Sequence, residues 1–168
     1  MKFDLWPTTI AVEHFPLDMC VDILNKYSEV NDKEWCNVIT EEQSKMLLSA
    51  VESNFGKPAE IIEGWIRFVP PGGNNDFELH SDSHYGGDLV GVFNVMGDEG
   101  CGGNLVLYDP AWRNPQRVSD DVNPNALKHV EEFKVGKFTM FPGNVWHLVS
   151  TYTGTSKRLT LNLVIKFK

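Results

Sequence analysis

From residue 61 to the C-terminus the chain reads as one short strand after another, each closed off by glycine or proline. This grammar restricts the fold more than any other feature. Residues 61–69 are rich in β-branched and aromatic side chains, which suit a pleated, half-buried surface. Pro70-Pro71-Gly72-Gly73-Asn74-Asn75-Asp76 is a dense turn signal. Further strand-like runs follow at 77–82, 85–95, 104–108, 133–141, 146–152 and 158–167, with a glycine turn at 97–103 and a long irregular stretch at 109–125. Many short strands with such turns predict a jelly roll, or double-stranded β-helix.

The first 60 residues read differently. Residues 5–12 are β-prone around Pro7, which suggests an edge strand or a strand start. Residues 15–27 predict a helix on the recurrence of Leu17, Cys20, Val21 and Leu24, with Pro16 in the first turn. Residues 32–37 have no clear period. Thr40-Glu41-Glu42-Gln43 has the pattern of a capping box. The helix it opens should run to about residue 55, burying Met46, Leu47 and Val51, and stop at Gly56 and Pro58. Neither helix carries a catalytic spacing, so both are expected to buttress the outside of a sheet. The chain is read as a single domain: residues 1–60 a helical support, residues 61–168 a mostly β core.

The chemistry concentrates at Glu78-Leu79-His80-Ser81-Asp82-Ser83-His84 and at the distant His147. Residues two apart in a strand project from one face. His80 and Asp82 can therefore converge on a point, and Asp82 with His84 offers the same spacing. A second imidazole, His147, could complete three ligands after the Phe141-Pro142-Gly143-Asn144-Val145-Trp146 segment. Two histidines and a carboxylate on one side of a metal form the ligand set of non-haem iron oxygenases. Later in the chain, Arg158, Thr160 and Asn162 alternate with Leu159, Leu161 and Leu163. A polar stripe pointing into a barrel needs a partner for its guanidinium, and a guanidinium grips a carboxylate with two bonds.

Four pieces in order, His80-Ser81-Asp82, the Gly102-Gly103 strand, His147 and Arg158, resemble the Fe(II)- and 2-oxoglutarate-dependent oxygenase superfamily, and within it the prolyl 4-hydroxylase-like group. The resemblance covers residues 61–168. It implies a double-stranded β-helix core whose mouth holds Fe(II) on His80, Asp82 and His147, with His80 preferred to His84 because the family places histidine before the carboxylate. It implies 2-oxoglutarate and O2 as co-substrates, with Arg158 and Thr160 on the distal carboxylate, Asn162 as a further contact, and ascorbate as an accessory. The family often adds a tyrosine hydroxyl on the next strand. Phe93 stands about there and cannot hydrogen-bond, and Asn94 is expected to face the other way. The activity implied is hydroxylation of a C–H bond in a prolyl or other residue of a protein or peptide. A small-molecule or nucleobase hydroxylase, a cupin-like metal protein without 2-oxoglutarate, and a sugar-binding jelly roll are the competing readings.

The formal charge of −8 argues against loose binding to nucleic acid or to an anionic membrane. No apolar run reaches the length of a membrane span, and the N-terminus lacks the apolar core of a signal peptide. Cys20, Cys36 and Cys101 are odd in number and widely spaced, which suits a reduced, cytoplasmic setting, with Cys101 a small packed residue in a turn. His14 and His129 are read as surface residues. Arg67 is a candidate to reach substrate or co-substrate, and Trp112, Arg113 and Arg117 in the long loop are candidate substrate contacts.

Overall fold

The computed structural model describes residues 1–5, 8–29, 34–72, 79–109 and 128–168. Two antiparallel sheets face one another in a double-stranded β-helix. The larger sheet has six strands in the order β1 (Lys2–Leu5), β2 (Thr8–His14), β7 (Lys137–Pro142), β4 (Leu89–Met96), β9 (Arg158–Phe167) and β3 (Ala59–Val69). The smaller has three, β6 (Lys128–Glu131), β5 (Leu105–Tyr108) and β8 (His147–Val149). An isolated bridge between His80 and His147 widens it by one position beyond β8. The helices α1 (Leu17–Glu29), α2 (Trp35–Val38) and α3 (Glu41–Phe55) cover the outer face of the larger sheet. Among the described residues, no helix is long and apolar enough to cross a membrane.

The central strands are apolar on both faces because both are covered. Phe93, Val95, Phe138, Leu159, Leu161, Leu163 and Ile165 pack outward against Met19, Cys20, Ile23, Leu47 and Val51 of the helices. Phe15 sets its ring edge-on to Phe93 at 5.7 Å. On the inner face Ile10, Val90, Val92 and Phe141 meet Leu105, Leu107 and Val145. Two separate apolar layers therefore clamp the larger sheet, and its inward polar residues sit in the inner one.

The capping box predicted at Thr40 is present. The Gln43 amide nitrogen donates to Thr40 Oγ1 at 3.1 Å, and the Thr40 nitrogen donates to Gln43 Oε1 at 2.8 Å. Gly56 ends α3 in the left-handed region at φ 71°. Thr40→Ala should lower stability by about 1 kcal/mol. A chain of this size would then melt about 2–4 °C lower, and the urea midpoint should fall with an unchanged slope.

Three local expectations are corrected. The stripe read on α1 is rotated: Met19, Cys20 and Ile23 are buried, while Leu17 and Val21 are 63% and 53% exposed. Met46, expected to be buried, is exposed at the surface of α3; Gln43 joins Leu47 and Val51 on the buried face. Strand β6 was not anticipated. It lies at the edge of the smaller sheet, where Lys128-His129-Val130-Glu131 offers little apolar signal. His129, read as a surface residue, is half-buried there and meets Glu131 at 3.0 Å.

Candidate metal centre

The site begins as a strand-pairing problem. His80 and His147 exchange both backbone hydrogen bonds, His80 nitrogen to His147 oxygen at 3.1 Å and His147 nitrogen to His80 oxygen at 2.8 Å. Residues directly opposite in an antiparallel pair put their side chains on the same face. The two imidazoles accordingly lie 4.4 Å apart, centroid to centroid. Asp82, two residues on, is anchored by its own amide donating to the Gly143 carbonyl at 3.1 Å. Gly143 belongs to the Pro-Gly-Asn turn that feeds β8, where the Val145 amide donates to the Pro142 carbonyl at 3.0 Å. One turn thus sets the position of both Asp82 and His147.

The resulting donor set is compact. One ligand atom from each of His80, Asp82 and His147 lies within 4.8 Å of the others. His80 Nε2 is 3.7 Å from Asp82 Oδ1, and His147 Nε2 is 3.5 Å from Asp82 Oδ2. Asp82 and His147 are 3% and 5% exposed, whereas His80 is half-buried. His84, with the same spacing to Asp82, is exposed, sets its ring 4.0 Å from that of its neighbour Tyr85 at a tilt of 38°, and stays outside the cluster.

Protonation makes the arrangement suit a cation. His147 Nδ1 sits 3.0 Å from the Val145 carbonyl, and a carbonyl can only accept, so Nδ1 carries the hydrogen. Burial lowers the His147 pKa, against the opposite pull of the Val145 carbonyl and the Asp82 carboxylate. The neutral ring then turns an acceptor, Nε2, toward Asp82 Oδ2. That oxygen is buried and has no hydrogen-bond partner among the described residues. Two acceptors facing one another without a proton between them are costly in a dry site. A divalent ion among the three groups satisfies both. The set of two imidazoles and a carboxylate is also that of an iron(II) site with open positions.

The cavity beside the triad is lined by Trp65, Arg67, Val90, Val92, Leu105 and Asn162, among others. Thr160 and Arg158 continue the Asn162 stripe along β9, more deeply buried at 2% exposure each. Arg158 Nη2 donates to the Gly103 carbonyl at 3.1 Å, and its guanidinium lies 5.0 Å over the Phe133 ring. Its Nε and Nη1 have no partner among the described residues. Burial and the nearby Arg67 guanidinium bring its pKa down to about 10, so it remains a cation at neutral pH. Gly103 shows why the Gly-Gly pair precedes β5: its φ is 69°, and a Cβ there would stand 2.8 Å from Arg158 Nε. The turn before Arg158 is knotted to Asp98, which accepts from the Thr155 and Ser156 amides at 2.7 and 3.0 Å. The Ser156 hydroxyl, together with these amides, holds its carboxyl down at about 2.

The register also revises the reading of β4. Asn94 pairs with Thr160 and Val92 with Asn162, whereas Phe93 packs into the layer beneath the helices. Asn94, 7% exposed, therefore shares the inward face with Arg158 and Thr160, and Phe93 is the one that faces away. Arg67 pairs with Thr160 from the other side. Cys20, under the helices, has its thiol pushed up to about 11 by burial and acts as a small apolar residue. Trp112, Arg113 and Arg117 lie outside the described residues.

No family model matches the sequence, and no curated protein does either. Solved structures do match in fold. A Pseudomonas putida prolyl-4-hydroxylase superposes with a TM-score of 0.61 at 14% identity, over 95% of this chain and 88% of that one. The non-heme monooxygenase ThoJ, in a nickel complex, gives 0.63 at 9% identity, over 94% and 73%. The non-heme alpha-ketoglutarate-dependent epimerase SnoN from nogalamycin biosynthesis gives 0.66 at 10% identity, over 94% and 77%. At such identities the likeness is one of fold, the double-stranded β-helix of non-heme oxygenases.

Proposed function

We propose that this chain is an Fe(II)- and 2-oxoglutarate-dependent dioxygenase that hydroxylates a C–H bond. The observation that carries the reading is the meeting of His147 Nε2 and Asp82 Oδ2 as buried acceptors, with His80 beside them. His80, Asp82 and His147 would hold the metal. Arg158 would hold the far carboxylate of 2-oxoglutarate through Nε and Nη1, which have no partner among the described residues, with Thr160 and Asn94 on the same face. The likeness in fold to non-heme oxygenases supports the assignment. When bound, iron with 2-oxoglutarate supplies the activation of O2, whose oxidising power is released as 2-oxoglutarate becomes succinate and CO2.

The protein's own part is positional. The Val145 carbonyl keeps the Nε2 lone pair of His147 directed at the site, which fixes both tautomer and ring plane. Val90, Val92 and Leu105 give the cavity apolar walls that keep water from the oxidant. His80, the half-buried member of the triad, would face an incoming substrate.

Anaerobic titration tests the assignment. Iron(II) and 2-oxoglutarate together should produce a visible charge-transfer band that neither produces alone. In air the same mixture should release succinate. His80→Ala should lose the band, and His84→Ala should keep it. Iron binding without any band would leave a cupin-like metal protein instead.

A further inference from the structure

Tyr85-Gly86-Gly87 follows the metal motif directly, yet has no part in the chemistry above. Its backbone is tied to the triad. The Tyr85 amide donates to the Asp82 carbonyl at 3.1 Å, so the turn Ser83–Tyr85 hangs from a residue proposed to hold the metal. Asp82 is in turn fixed through its own amide to the Gly143 carbonyl. On the far side, Gly86 leaves the turn in the left-handed region at φ 76°. Gly87 then passes so close to β9 that a Cβ there would collide with Val164 Cγ1. Tyr85 is thereby held on both sides, although 42% of it is exposed.

The Tyr85 ring lies against Trp65 of β3, with 5.3 Å between centroids and 31° between planes. Trp65 is half-buried and lines the metal cavity together with His80, Asp82 and His147. Aromatic surface therefore runs from the metal cavity out to solvent. Nearly parallel rings at this spacing have the geometry of an offset stack, which a third planar group can extend. Val90, Val92, Leu105 and Val149 make the adjoining wall apolar. A surface already fixed in place spares a ligand the cost of ordering it. An extended peptide would need backbone partners along its length, whereas the described wall offers ring face and apolar side chains. The formal charge of −8 disfavours a polyanion as the carrier of the ring.

Resting on the dioxygenase reading above, we propose that the substrate is a small molecule bearing a flat unsaturated ring, which lies on the Trp65–Tyr85 surface and turns a C–H bond on or beside that ring toward the metal. One oxygen atom of O2 ends in that C–H bond and the other in succinate. Tyr85 is then a specificity-determining residue. Because its turn hangs from Asp82, one piece of backbone sets both the place of the ring and the place of the metal.

The test uses the full chain loaded with manganese and 2-oxoglutarate without O2. The probes are benzamide against cyclohexanecarboxamide, 2-naphthamide against its fully saturated counterpart, and a proline-rich peptide. Ligand-observed NMR reads affinity, and broadening by manganese, absent with zinc, reads closeness to the metal. At least one flat amide should bind about threefold or more tightly than its saturated partner, with its ring protons broadened. Tyr85→Phe should keep that preference and Tyr85→Leu should erase it. Under O2 with iron, the preferred flat amide should raise succinate release above the rate without it. Equal binding of flat and saturated rings, including no binding of either, overturns the proposal. So does an unchanged preference in Tyr85→Leu, or tighter binding of the proline-rich peptide. Ring binding without broadening or without a rise in succinate overturns it too, by placing the surface apart from the reaction. A loss of manganese affinity in Tyr85→Leu overturns it by making the ring a support for the triad. A wild-type protein that binds manganese but not 2-oxoglutarate defeats the dioxygenase reading instead, and the comparison of flat with saturated rings on manganese alone then still reads the Trp65–Tyr85 surface.

Discussion

Asp82→Ala is expected to cost more than about a hundredfold in divalent-metal affinity, because removing a ligand should exceed the 10–100-fold loss typical of groups that merely orient one. The two imidazoles that remain are held by their mutual backbone pairing, so the loss reports the carboxylate and not a collapse of the site. The same substitution should not destabilise the metal-free protein. Asp82 Oδ2 is buried without a partner among the described residues, and deleting an orphaned acceptor removes a desolvation penalty. Asp82→Asn sharpens the contrast. Its amide can donate to His147 Nε2, 3.5 Å from the present Oδ2, and should raise the metal-free melting temperature while weakening metal. At a metal concentration a hundredfold above its dissociation constant, wild type should gain about 2.7 kcal/mol that neither variant gains. Calorimetry with manganese and melting curves with and without metal read both effects. Wild-type affinity in Asp82→Ala would show that the metal sits elsewhere.

The sequence disclosed the triad because part of it is set by covalent geometry. His80 and Asp82 share a face wherever that segment is extended, whatever the rest of the fold does. Arg158, Thr160 and Asn162 were legible for a similar reason, as polar residues in strict alternation with leucines. Where both faces of an element are apolar, alternation says nothing about direction. Strand β4 is buried on both sides, and its pairing with β9 shifts register between Asn94 and Met96, so Asn94 could be placed only by its partner Thr160. Helix α1 has apolar residues at Leu17, Met19, Cys20, Val21, Ile23 and Leu24, enough for several arcs, and the sheet beneath selects the one that is buried. His84 had the right spacing but lies in the turn Ser83–Tyr85, where a two-residue step no longer repeats a face. Arg67 reads in the sequence as a candidate to reach substrate or co-substrate, and the pairing of β3 with β9 sets it opposite Thr160.

Arg158→Met separates what a buried charge does for binding from what it does for folding. The guanidinium is 2% exposed, donates to the Gly103 carbonyl and lies over Phe133, yet two of its nitrogens have no partner among the described residues. A methionine keeps the aliphatic part of the side chain and removes the cation from a site that also feels Arg67. Replacing buried charges with well-packed apolar groups is often neutral or stabilising. The melting temperature of the protein without ligands should therefore hold or rise. Binding should move the other way. A charge-assisted, two-pronged contact to a carboxylate is lost, at a cost of about 2 kcal/mol or more, roughly thirtyfold in the 2-oxoglutarate dissociation constant. Metal affinity should not change, since Arg158 is not among the three groups that would hold the metal. Arg158→Lys keeps the charge but loses the planar fork and should recover only part of the affinity. A variant that binds 2-oxoglutarate like wild type would assign Arg158 to the packing around Gly103 and Phe133 and move the co-substrate's carboxylate to Arg67.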